Sequence, residues 1–110
     1  MKLPNYDKAI VPREKIVDYL LSPTHRDGRS KAAFFASLGF SADVWQTLAE
    51  ALLRHAAEHE VATVEASPFG ARYVIEGELR APDGRAPVVR VVWFMDDGAD
   101  IPRLVTAYPA

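Results

Sequence analysis

The sequence contains no cysteine, which removes disulfide frameworks and thiolate metal centres and suits a reducing compartment. Glycine is sparse, at six residues. No Gly-rich phosphate loop, Gly-x-Ser-x-Gly elbow or dinucleotide fingerprint occurs, so no cofactor is expected. No apolar run approaches the ~20 residues of a membrane span. The opening Met1-Lys2-Leu3-Pro4-Asn5-Tyr6 lacks the apolar stretch of an export signal. Neither charge is in large excess: 13 Lys and Arg stand against 15 Asp and Glu, a net charge of −2. That balance argues against coating nucleic acid through bulk electrostatics, and no DNA partner is expected. These absences together describe a cytoplasmic protein without membrane attachment.

What is present is a foldable core. The chain is 49% apolar and 25% charged over 110 residues, enough for one domain spanning 1–110. Residues 1–11 read as an extended arm, since Pro4 disfavours helix. Ile16, Val17, Leu20 and Leu21 place one apolar stripe on a helix over 13–21, with Pro12 at its start and Ser22-Pro23 at its end. A short helix from Arg29 or Ser30 buries Phe34, Phe35 and Leu38 and stops at Gly39. Ser41 reads as the N-cap of a long helix reaching about His59, with Phe40 stapled to Trp45. Val44, Trp45, Leu48, Ala49, Leu52, Leu53 and Ala56 keep its 3.6 period.

From Glu60 the period becomes two. Strands are expected at about 61–66, 71–80, 87–95 and 103–108, broken by Ser67-Pro68-Phe69-Gly70, Pro82-Asp83-Gly84 and Asp96-Asp97-Gly98. Connections this short favour an antiparallel meander. The fold class is therefore α+β: three N-terminal helices (in 12–59) packed on one face of a four-stranded antiparallel sheet (60–110). Tyr73, Ile75, Leu79, Val89, Val91, Trp93, Met95, Val105 and Ala107 are expected under the helices. Arg72, Arg90, Thr106 and Tyr108 then gather on the other face.

The segment Ser22-Pro23-Thr24-His25-Arg26-Asp27-Gly28-Arg29-Ser30-Lys31 concentrates groups that transfer protons and bind anions. Its plain reading is a solvated loop. Lys31 sits in the first turn of a helix, where the dipole opposes a cation, which suits an anion-holding role. Thr106 and Tyr108 lie two residues apart on one strand face and could touch one phosphate; their plain reading is a strand built from good β-formers. His55 and His59 share metal-binding spacing, but the glutamate after the first histidine that marks zinc proteases is missing, and both read as lying on the polar side. No metal site is assigned. Asp96-Asp97-Gly98-Ala99-Asp100 lacks the closing glutamate of a calcium loop and reads as a solvated hairpin.

Leu3-Pro4-Asn5, Asp18-Tyr19-Leu20-Leu21-Ser22-Pro23-Thr24-His25, Gly28 with Lys31-Ala32, Phe35, and Pro102-Arg103-Leu104-Val105-Thr106-Ala107-Tyr108 resemble a small bacterial domain of unassigned function. Such domains occur free-standing and as C-terminal tips of polymorphic toxins. The hydroxyl-x-Tyr-Pro ending after a helix-then-sheet body is also similar to the barnase, EndoU, colicin and RelE-type toxin ribonucleases. The resemblance implies a cleft of His25, Lys31, Thr106 and Tyr108, with Arg90 as a further phosphate contact; Arg29, from its residue type in the polar segment, is a second expected phosphate contact. Relatives often carry a histidine directly before the lysine; here that position is Ser30, which implies either an impaired copy or one that relies on His25 for proton transfer. Two functional classes follow: a metal-independent endoribonuclease acting on RNA, and a non-catalytic module. The module would be a toxin relic, an immunity-like partner or an accessory domain, paired with a genetically linked antitoxin or immunity protein.

Overall fold

The computed structural model describes residues 1–110, and its architecture follows the change of apolar rhythm at Glu60. The first helix, α1, covers 13–20: an α turn, Arg13–Lys15, widens into a π-helical segment, Ile16–Leu20. The widening is closed by the Leu21 N–H donating to the Ile16 carbonyl at 2.8 Å. Helix α2 is Arg29–Ser37, and α3 is Trp45–Glu58. Gly39, at φ 98°, ends the α2 run as expected: its N–H donates to Ala36 and that of Phe40 to Phe35.

One helix start differs from expectation. Ser41 is extended and makes no side-chain cap, and a 3-10 turn, Ala42–Val44, comes before α3. The Ser41 carbonyl accepts the Val44 N–H instead, so the chain turns into α3 through backbone bonding.

The sheet is a meander, β1 (Val61–Ser67), β2 (Gly70–Glu78), β3 (Val88–Asp96) and β4 (Arg103–Pro109), all antiparallel, in the order β1-β2-β3-β4. The helices cover one face. Ile16, Leu20, Phe35, Leu48 and Leu52 meet Ile75, Val91, Trp93 and Ala107 in one core. Trp93 is fully buried, and its indole N–H has no acceptor.

Strand phase was expected to bury Val105 with Ala107. A register shift between Val92 and Trp93 instead pairs Trp93 with Leu104 and Val92 with Thr106. This β-bulge leaves Val105 as the extra residue and turns Leu104 inward, so Leu104 and Ala107 are fully buried while Val105 is only half-buried.

His55 on α3 and His59, the extended residue just after that helix, correct a second expectation. His55 is 1% exposed, facing the sheet rather than solvent. Its Nε2–H donates to the Gly77 carbonyl at 3.0 Å, and that of His59 donates to Glu78 at 2.9 Å. The pair ties α3 to the end of β2. Gly77 is required there: a Cβ would lie 2.5 Å from the His59 ring. No third metal-ligating side chain joins them.

Candidate functional site

The polar segment between α1 and α2 folds on itself before it meets the sheet. The Ser22 hydroxyl accepts the His25 N–H at 3.1 Å. His25 Nδ1 accepts the amides of Asp27 at 3.0 Å and Gly28 at 3.1 Å. This places the ring proton on Nε2 and makes His25 a cap for the turn that starts α2. Gly28 is buried, and a Cβ there would collide with the Tyr19 carbonyl. Its φ is an ordinary −98°, so the glycine serves close approach and not an unusual backbone angle.

Tyr19, presented by the π segment of α1, is the centre of the arrangement. Its ring meets His25 edge-on at 4.9 Å. Lys15 and Lys31 each hold an ammonium 5.4 Å from its centroid. Its hydroxyl bonds that of Thr106 on β4 at 3.0 Å. Lys31 Nζ also donates to the Asp27 carbonyl at 3.1 Å. Lys15, Tyr19, His25, Lys31 and Thr106 are all half-buried. Arg29 is the first residue of α2, exposed and without a carboxylate partner.

Arg90 and Tyr108 come next along the same face of the sheet, Tyr108 two residues beyond Thr106. They face each other across β3 and β4 on the sheet surface away from the helices. Arg90 is bound to Glu76 at 3.0 Å. Hydrogen bonding to Glu76 first, and to Tyr108 second, raises the guanidinium's pKa above its usual range. Arg72 is likewise bound to Glu65 at 3.2 Å. His25, Lys31 and Thr106 gather around Tyr19, and Tyr108 lies two residues beyond Thr106 on the same strand face, opposite an Arg90 already held by Glu76.

Charge is partitioned along the chain. Residues 1–31 hold seven Lys and Arg against four Asp and Glu; residues 32–110 hold six against eleven. All five arginines after residue 60 are in ion pairs, and none of the seven cationic side chains before residue 32 is. The overall −2 thus conceals a cationic front end. Sequence reading missed Tyr19 and Lys15. Their signal was the i, i+4 spacing of a lysine and an aromatic on one helix.

Helices on one face of a four-stranded antiparallel meander, with a cationic and hydroxyl-bearing cluster at the β4 edge, define an α+β domain. The chain belongs to the family described as a domain of unknown function, DUF6883, whose model matches residues 2–110. Comparison with curated proteins finds no match. Among solved structures, the fold is similar to a chain from a contact-dependent growth inhibition toxin–immunity protein complex of Klebsiella pneumoniae 342. The TM-score is 0.74 at 18% identity, covering 93% of this chain and 100% of that one. No helix is long and apolar enough to cross a membrane.

Proposed function

We propose that this chain is a toxin-type endoribonuclease domain that needs no metal, with its reacting centre beside Tyr19. The supporting observation is the meeting of two unpaired ammoniums, Lys15 and Lys31, with the Tyr19–Thr106 hydroxyl pair. A phosphodiester seated there would face positive charge and hydroxyl donors at once. The ribose 2′-oxygen would bond to phosphorus as the bond to the 5′-oxygen breaks, leaving a 2′,3′-cyclic phosphate. Water takes the 2′ proton. The departing oxygen takes one from a lysine ammonium, which solvent restores. His25 serves as a donor to a phosphate oxygen through Nε2–H. The fold likeness to a chain of a toxin–immunity complex fits this reading, and fits a dedicated immunity protein as partner.

The occupied Nδ1 of His25 favours a second reading, a protein-binding module without catalysis, because amides already hold the nitrogen a proton shuttle would use. Incubating the purified chain with total RNA in excess chelator separates the two. Cyclic-phosphate ends are expected from wild type, with a loss of ~10²–10³ in rate for Lys31→Ala. Intact RNA from both proteins removes the nuclease reading.

A further inference from the structure

The sheet face turned away from the helices is laid out in cross-strand rows. Thr63, Val74, Val92 and Thr106 make one row, and Glu76, Arg90 and Tyr108 make the next. A trough of about 310 Å³ opens here, walled by Thr63, Arg72, Glu76, Arg90 and Tyr108. Val74, 8% exposed, is its apolar floor. The charges of the trough cancel, since Glu65 holds Arg72 and Glu76 holds Arg90. A phosphate gains no net attraction there, unlike beside Tyr19, where Lys15 and Lys31 have no carboxylate. The trough suits a neutral, flat group that forms hydrogen bonds. Both bonds from Arg90 to Glu76 fall on Oε2, at 3.1 Å from Nε and 3.0 Å from Nη2, and Oε1 has no partner. Tyr108 is half-buried, so its ring is partly open.

We propose that this trough is a nucleobase subsite. It receives a base of the RNA strand whose phosphate sits beside Tyr19, stacked on Tyr108 and held through its exocyclic amino group by Glu76 Oε1. The choice of RNA as occupant rests on the nuclease reading above. Tyr108 follows Thr106 by two residues of β4, about 6.8 Å, within the span of one nucleotide. Phosphate and base are therefore served by one continuous face. A carboxylate oxygen only accepts. Adenine, cytosine and guanine each offer it an amino group, whereas uracil presents carbonyl oxygens and is taken least well. Arg90, expected as a phosphate contact, instead fixes the carboxylate that reads the base.

Isothermal titration calorimetry of the full chain tests the subsite. The probes are single-stranded RNA hexanucleotides carrying 2′-fluorine, which removes the attacking oxygen so that no cleavage intervenes. One is all cytosine, one all uracil, and one an abasic strand of the same backbone. Wild type should bind the cytosine probe ~50-fold tighter than the abasic one. It should favour cytosine over uracil by ~5-fold. Tyr108→Ala should weaken cytosine binding ~10-fold or more. Glu76→Gln should remove the preference for cytosine over uracil while both stay above the abasic probe. Circular dichroism checks that both variants fold, as the exposure of Glu76 allows. Equal affinity for the cytosine and abasic probes overturns the proposal and leaves this face to a protein partner. So does discrimination that survives both substitutions unchanged. The two readings fail separately. Base-dependent binding lost in Tyr108→Ala supports the subsite even where total RNA stays intact, and RNA cleavage without base-dependent binding removes the subsite alone.

Discussion

The phenol of Tyr19 and the hydroxyl of Thr106 stand 3.0 Å apart although 87 positions separate them in the chain. This bond joins the front helix to the final strand, at the place where unpaired cations collect. Tyr19→Phe keeps the ring contacts with His25, Lys15 and Lys31 and loses only the hydroxyl. A stability loss of about 0.5–1.5 kcal/mol is expected by urea denaturation. Thr106→Val should cost a similar amount, and the double variant little more than either, which a double-mutant cycle reads directly.

His25 separates structure from chemistry. His25→Ala strips the acceptor from the Asp27 and Gly28 amides and should cost about 0.5–2 kcal/mol. His25→Asn supplies an acceptor oxygen and should recover most of that loss, as a denaturation midpoint shows. If the imidazole also acts on phosphate, RNA cleavage stays low in the Asn variant while stability returns.

His55 makes the fold sensitive to mild acid. Burial first, with His59 beside it, lowers its pKa from the ordinary 6.5 to about 4, against the opposing bond to Gly77. Between those values the unfolded chain binds the extra proton and the folded chain does not, so protonation favours unfolding. The contribution is intact above about pH 6.5 and is lost as pH falls toward 4, with a span on the order of 3 kcal/mol. Denaturation midpoints taken across that window should fall with acid in wild type. In a folded His55→Gln protein the slope should largely vanish.

Gly77→Ala forces a methyl to 2.5 Å from a ring that is itself bonded to Glu78. A loss of about 1–3 kcal/mol is expected. Adding His59→Ala should relieve much of it, leaving the double variant more stable than the sum of the single losses predicts. Thermal melts check the sign of that coupling.

The order of elements was legible because it depends on local rhythm. Leu48, Leu52 and Ala56 repeat at helical spacing, and the alternation around Ile75 and Val91 repeats at two. The meander followed from turn lengths alone. The bulge that turns Leu104 inward was not legible, since a single extra residue leaves the alternation of a short strand looking regular. His55 was assigned to the wrong side because imidazole counts as polar, whereas the ring is buried against a carbonyl that no local pattern announces. Within the candidate site, His25, Lys31 and Thr106 were found from residue chemistry. Tyr19 was passed over as part of a helix stripe, and Arg90 was taken as free because its carboxylate lies 14 positions away on another strand.

The sealed position of Trp93 gives the molecule its own optical gauge. Its indole lies in an apolar setting with no polar partner, whereas Trp45, the other tryptophan, is only half-buried. Folded protein should therefore emit with a short-wavelength component that moves to the red once water reaches β3. Trp45→Phe isolates that signal, so the integrity of each variant can be read from its fluorescence alone, without a dye or label.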